Sequence, residues 1–333
     1  MKSALVKMLV ACSVLVLAAC SGGSDEANGD SGTTIKLAHS ASESHQYHIA
    51  SKKFKELVDK KTDGSVQIEI HPNATMGSES EAIEQVIGGT LDMTTVSADS
   101  SFANTVEEMN VFGIPYLFEN KDHVYSVLDG EIGQDLLETA NEKGMKALGY
   151  WEVGFRHVSN SKQEIKKPAD MEGLKIRVQP SPVWEAHMKA LGANPTPVDF
   201  NELYSALDQG VVDGQENPLP TINSMKFYEV QDYVSLTSHT YSPAITIMSE
   251  ETWDKLNEDQ QKAVQEAVQE TKTYVRKTLD EKEQEIKDKL KEEGVTITEP
   301  DREAFKEATK NVKDAVSDKV PSELIQRIKD AAE

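Results

Sequence analysis

Apolar and polar positions alternate over residues 34–38 and 66–71, and residues 91–97 form a third short run with Leu91, Met93 and Val96 set among polar residues. Such patterns predict strands. Between the first two, Ile49, Phe54, Leu57 and Val58 make a helical stripe within residues 45–62, ended by Asp63-Gly64. Between the second and third, a helix capped by Ser78 or Ser80 runs to Ile87 and stops at Gly88-Gly89. The order strand, helix, strand, helix, strand predicts an α/β lobe with a mainly parallel sheet. An apolar crossing segment (111–118), a helix from about 122 to 144 and strands at 145–151 and 155–159 around Gly154 follow. Next come a capped turn (168–173), a strand (174–178), a helix (183–191), a strand (194–198), a helix (200–208) and a short strand at Val211-Val212. Asp213-Gly-Gln-Glu-Asn-Pro218 then reads as a polar turn, a natural use of Gly, Asn and Pro.

From Glu250 onward the chain is charged and helical. Trp253, Leu256, Val264, Val268, Tyr274, Leu279, Ile286 and Leu290 keep helical spacing to about Glu293. Such a helix is long enough to brace two lobes; a coiled coil is the alternative, but the heptad is irregular. Amphipathic helices are expected at 301–316 and 321–331. Residues 81–92 also echo residues 202–213: a short amphipathic helix, a glycine stop, two residues, then Asp. One αβ unit used twice and a common helix stop before a strand fit this equally.

The N-terminus changes the picture of where the chain works. Lys2 and Lys7 precede an apolar run that is short for a membrane span and ends in Leu17-Ala18-Ala19-Cys20. This resembles a bacterial lipobox, which implies lipidation at Cys20 after removal of a signal at 1–20. Residues 21–33, rich in Ser, Gly and Asp, read as a flexible tether. Both cysteines, Cys12 and Cys20, lie in this signal, so no disulfide is expected in the mature fold. The formal charge of −22 makes the chain a poor partner for nucleic acid or anionic lipid, and contact with the membrane is expected only through the lipid.

Only five of the 35 basic residues are arginines. Arg276, Arg302 and Arg327 sit in charged helical sequence, whereas Arg156 and Arg177 sit among apolar residues in predicted strands. A guanidinium keeps its charge and offers a rigid fork that matches a carboxylate. Two such groups on neighbouring strands could grip an anion; two internal salt bridges would look the same. Asn217 and Gln215, after the predicted strand, can each donate and accept. His39, His45, Tyr47, His48, Trp151, Phe155, Trp184, His239 and Tyr241 supply ring groups near similar loops. His45 and His48 have a spacing open to metal binding, but no cysteine or third ligand accompanies them, so no metal and no cofactor is expected. No Gly-x-Ser-x-Gly, P-loop or Gly-x-Gly-x-x-Gly after a strand occurs, and an enzyme is not expected.

Five segments are more specific: Gly-Leu-Lys-Ile-Arg-Val-Gln-Pro (173–180), Ala-Leu-Gly-Ala-Asn-Pro-Thr-Pro (190–197), Glu-Leu-Tyr-Ser-Ala-Leu (202–207), Gly-Val-Val-Asp-Gly-Gln-Glu-Asn-Pro (210–218) and Lys-Phe-Tyr-Glu-Val-Gln (226–231). They resemble the DctP family, the substrate-binding subunits of tripartite ATP-independent periplasmic (TRAP) transporters. The resemblance implies a two-lobe α/β binding-protein fold with a long helix bridging both lobes. Lobe one would comprise 34–153 plus 243–282, and lobe two 154–242 plus 283–333. It implies that Arg177 clamps a carboxylate, Arg156 assists and Asn217 adds a polar contact. With Gln215, Trp151, His39, Glu79 and Tyr241 these complete the candidate ligand set, and residues 179–181 are expected to shape specificity. The implied ligand is a small organic acid anion, a C4-dicarboxylate or a sugar acid, with the polar candidates favouring the sugar acid. The implied partners are the TRAP membrane subunits, served by a monomer held outside the cytoplasm, lipid-anchored or periplasmic. A ligand-sensing subunit feeding a signalling receptor would share every one of these features.

Overall fold

The computed structural model describes residues 32–332; the expected signal, Cys20 and most of the tether lie outside the described residues. The first lobe is built in chain order from β1 (Thr33–Ala38), α1 (Gln46–Lys61), β2 (Val66–His71), α2 (Glu79–Ile87) and β3 (Met93–Ser97). Strand β1 lies between β2 and β3, parallel to both, with Thr33 opposite Val66 and Leu37 opposite Met93. Thr33, assigned to the tether from composition, is therefore the first strand residue. Ser78, rather than Ser80, caps α2 in a capping box with Glu81.

The single helix expected over 122–144 is two: α3 (Lys121–Asp129) and α4 (Glu131–Asn141). Gly130 between them has extended backbone, with φ −90° and ψ −169°. The two strands expected next are one, β4 (Met145–Asn160), which bends at bulges beside Gly149 and Gly154 rather than ending there. The second lobe begins with β5 (Lys175–Val178), α5 (Pro182–Ala190), β6 (Asn194–Pro197), α6 (Leu203–Asp208) and β7 (Gly214–Pro218). Here β5 lies between β6 and β7, parallel to both. The polar turn expected at 213–218 is thus a buried strand, and the strand expected at Val211-Val212 is not one: Val211 is 51% exposed. Residues 214–218 are buried because their polar groups find partners inside the protein, which hydropathy alone does not register.

Helix α7 (Leu219–Ser224) and β8 (Tyr233–Ser235) lead to β9 (Tyr241–Ser249), a wholly buried strand that sequence patterning did not predict. It runs antiparallel to β3 on one side and to β4 on the other. Strand β4 pairs with β9 up to Phe155, then with β7 and β8 from Arg156 onward. It thereby passes from one lobe into the other and joins the path β2-β1-β3-β9-β4-β7-β5-β6.

The charged C-terminal region starts with α8 (Glu250–Lys255) and then α9 (Glu258–Glu292), capped by Asn257. At 35 residues α9 is about 50 Å long. Val264, Ala267, Val268, Val275 and Leu279 pack in the core beneath α1, while Ile286 and Leu290 pack with Leu219 and Ile222 of α7 in the second lobe. One helix therefore bridges both lobes. Strand β10 (Thr296–Thr298), which pairs with β8, and helices α10 (Arg302–Thr309) and α11 (Ser322–Asp330) complete the fold. Among the described residues no helix is long and apolar enough to cross a membrane.

Candidate functional site

Arg156 lies where β4 changes partner, and its guanidinium is fully engaged. Nη2 donates to Glu216 Oε1 (2.9 Å), to the Glu216 carbonyl (2.7 Å) and to Asn217 Oδ1 (3.1 Å). Nη1 donates to Ser242 Oγ at 3.0 Å, and Nε pairs with Glu216 Oε2. The guanidinium also lies 5.1 Å from the Trp184 ring centroid. Burial pushes the Glu216 carboxyl up, but Arg156 and the His239 hydrogen bond more than offset it, so Glu216 stays below the ordinary carboxylate range. Ser242 in turn donates to Asp99, which also accepts from Ser97 Oγ, so the network reaches from β7 across β9 to the end of β3.

Arg177 is equally buried but differs in its partners. The third residue of β5, it is 1% exposed. Its Nε donates to the Val198 carbonyl at 2.8 Å, while Nη1 finds no acceptor among the described residues. Burial lowers its pKa to about 10, against the raising influence of Glu216. A desolvated cation with a free donor fork is set up to receive an anion.

Two small adjoining cavities lie between the lobes here. Glu79, Gln179 and Phe200 line both; Arg156 and Asn217 line the first and Arg177 lines the second. Glu79, at the start of α2, is buried, accepting from Ser40 Oγ (3.2 Å) and the Ser97 amide (3.3 Å). Burial raises its pKa to about 7 despite those two bonds. Gln179 presents a buried Nε2 without an acceptor. A larger cavity beside the crossing strands, edged by Lys121, His157, Lys287 and Arg302, holds none of the predicted site residues. The small cavities are the stronger candidate because buried, unpartnered polar groups converge on them.

Of the predicted residues, Arg177, Arg156, Asn217 and Glu79 are brought together. Gln215 stands one layer back: its Oε1 accepts from Asn217 Nδ2 and its Nε2 donates to Ser159 Oγ at 2.7 Å, which orients Asn217. His39 is also behind the cavities, with Nε2 3.2 Å from His48 Nδ1 and its pKa lowered to about 3 by burial and then by His48. Trp151 and Tyr241 are not at the cavities. The alternation of β4 sends Trp151 into the core with Phe54 and α9, where Nε1 donates to the Val268 carbonyl at 3.3 Å. Tyr241 packs edge-on to Phe155 in the core, wholly buried. Phe200, Asp199 and Ser97 were missed as site residues; no local motif marks them, because their role comes from the lobes facing each other. Tyr47 and His45, met above as loop rings, do line the first cavity. His45 is held neutral by burial and then by His39. Among the described residues no group of three His, Cys, Asp or Glu could hold a metal.

Residues 37–319 match the DctP family, the bacterial extracellular solute-binding proteins of family 7. The chain belongs to this family. It is 40% identical over 290 residues to the 2,3-diketo-L-gulonate-binding periplasmic protein of Escherichia coli, covering 86% of this chain and 88% of the relative. A TRAP periplasmic solute-binding protein from a Polaromonas species, solved with D-erythronate, superposes with a TM-score of 0.86 at 37% identity, covering 89% of this chain and 98% of that one. One from Sulfurospirillum deleyianum, with bound succinate, gives 0.85 at 35% identity, covering 89% and 98%. DctP proteins are extracytoplasmic binding subunits of TRAP transporters and not enzymes, and the two-lobe fold with its bridging helix is theirs.

Proposed function

We propose that this DctP protein captures a small organic acid anion, a sugar acid or a C4-dicarboxylate, and delivers it to TRAP membrane subunits. The observation that carries this reading is Arg177: buried, charged, and with Nη1 lacking any acceptor among the described residues while it edges a cavity between two lobes. A carboxylate supplies the missing counter-charge and accepts two parallel hydrogen bonds. Arg156, already satisfied by Glu216, orients Asn217 and assists from the other cavity. The ligands of these relatives (2,3-diketo-L-gulonate, D-erythronate and succinate) share a carboxylate and span both acid classes.

The lobes 34–153 plus 243–282 and 154–242 plus 283–333 open and close about the crossing strands. The change of partner along β4 at Phe155-Arg156 supports that boundary. Ligand contacts made to both lobes favour the closed form over the open one. The small residues leading to Cys20 support a lipid anchor there, which keeps the protein at the membrane surface. Calorimetric titration with matched pairs, an aldonate against the corresponding alditol, tests the reading. Binding of the acid with loss of affinity in the neutral alcohol is the expected result; equal binding of both would refute a carboxylate anchor.

A further inference from the structure

We propose, resting on Arg177 as the carboxylate anchor, that Glu79 selects the ligand: it admits hydroxylated monocarboxylates and turns away dicarboxylates. The charges around the two cavities are few. Arg156 is neutralised in place by Glu216, so among the described residues Arg177 is the one cation there without a carboxylate of its own. Glu79 borders both cavities and Asp199 the second. The ligand's first carboxylate is balanced by Arg177. A second carboxylate enters beside Glu79 and finds a like charge in a desolvated space.

Hydroxyl groups meet the opposite reception. A carboxylate has about four acceptor directions. Glu79 uses one on each oxygen, Oε1 for the Ser40 hydroxyl and Oε2 for the Ser97 amide, both neutral donors. The remaining directions can accept from ligand hydroxyls, and Gln179 Nε2, buried and without an acceptor, can donate to a ligand oxygen. His45 adds no positive charge, since Nδ1 accepts from the Tyr47 amide and Nε2 lies 3.2 Å from Thr221 Oγ1. The cavity therefore complements one carboxylate followed by hydroxylated carbons.

A purely structural Glu79, tying α2 to β3, would leave ligand preference untouched when replaced. The test is calorimetric titration of the purified protein, Glu79→Gln and Glu79→Asp with D-erythronate and with succinate at pH 8. The natural protein is expected to prefer D-erythronate by at least about 10-fold, the scale of a hydrogen bond to a charged group. Glu79→Gln should narrow that ratio about 10-fold or more, chiefly by gaining succinate. Glu79→Asp, which keeps the charge but withdraws it, should weaken D-erythronate while still rejecting succinate. It decides the matter alone if the Gln variant does not fold. An unchanged ratio in Glu79→Gln, a gain of succinate by Glu79→Asp, or a natural preference for succinate overturns the role of Glu79 and leaves Arg177 as anchor. Failure of the natural protein to bind any carboxylate would remove the anchor and the selection together.

Discussion

The two lobes are built on one plan and filled with different chemistry. In each, a first strand lies between a second and a third, parallel to both: β2-β1-β3 and β6-β5-β7. The echo between residues 81–92 and 202–213 falls on the same unit in both. Gly89 and Gly210 end their helices in left-handed backbone, φ 72° and 68°, where glycine carries no steric cost. Asp92 Oδ2 accepts from the Lys36 amide and Asp213 Oδ2 from the Lys175 amide, each at 2.9 Å. The unit is therefore used twice, down to a shared hydrogen bond. The third strands then part company. Met-Thr-Thr-Val-Ser in β3 is satisfied by groups such as Thr95 and Thr246, 3.2 Å apart. Gly-Gln-Glu-Asn-Pro in β7 is equally buried, yet holds an ionised carboxylate against Arg156. Architecture follows the repeated unit; the buried ion pair lies between β7 of the second lobe and its neighbour β4.

The sharpest way to break this contrast is to remove the ion pair. Glu216→Ala leaves Arg156 buried without its counter-charge and should cost about 3–5 kcal/mol, read from the urea midpoint. A loss below about 1 kcal/mol would mean that β7 is held as β3 is, without charge.

Glu79 tests the lobe-one side of the cleft. Its pKa is raised from 4.5 to about 7, so the folded protein holds that proton more tightly than the unfolded chain. The resulting stability is full below about pH 4.5 and is lost as pH rises through about 7. Relative to Glu79→Gln, the natural protein should weaken by about 3 kcal/mol between pH 4.5 and 8, from denaturation at a series of pH values. Parallel stability curves would show that Glu79 is not desolvated.

The smallest effect probes the shared plan itself. Asp92→Asn and Asp213→Asn each weaken a charged hydrogen bond to a strand amide and should cost about 1–2 kcal/mol apiece. Similar losses support the equivalence of the two units; a cost confined to one would confine the shared role to that lobe.

Much of this was legible in the chain because period and punctuation agreed. Strand β1, helix α1 and strand β2 fall where alternation and the apolar stripe put them, and the αβ order gave the lobe class. What escaped depends on partners distant in sequence. Strand β7 reads as a turn because Gln215, Glu216 and Asn217 are polar and Gly214 and Pro218 are turn residues. It is a strand because Ser159, Arg156 and each other satisfy those groups. Gly214 is required there by closeness, since a Cβ would sit 2.3 Å from the Ser159 carbonyl oxygen. Strand β9 lacks alternation because both its faces are covered, a pattern shared by buried helices. In the site, arginines set in apolar strands stood out as rare buried cations, and the family resemblance separated the clamp from a salt bridge. The structure divides the two possibilities between them: Arg156 makes the internal salt bridge and Arg177 keeps a free donor. Trp151 was misjudged because a ring beside Gly154 looks equally suited to a cleft or a core, and only the packing of α9 decides.

That division between the arginines is most directly tested by Arg177→Met, titrated with D-erythronate and unfolded in urea beside the natural protein. Binding should fall by at least about 100-fold, while the ligand-free protein keeps or gains stability, because a desolvated cation without a counter-charge has been removed. Retained binding within about 10-fold, or a loss of stability as large as that expected for Glu216→Ala, would contradict it.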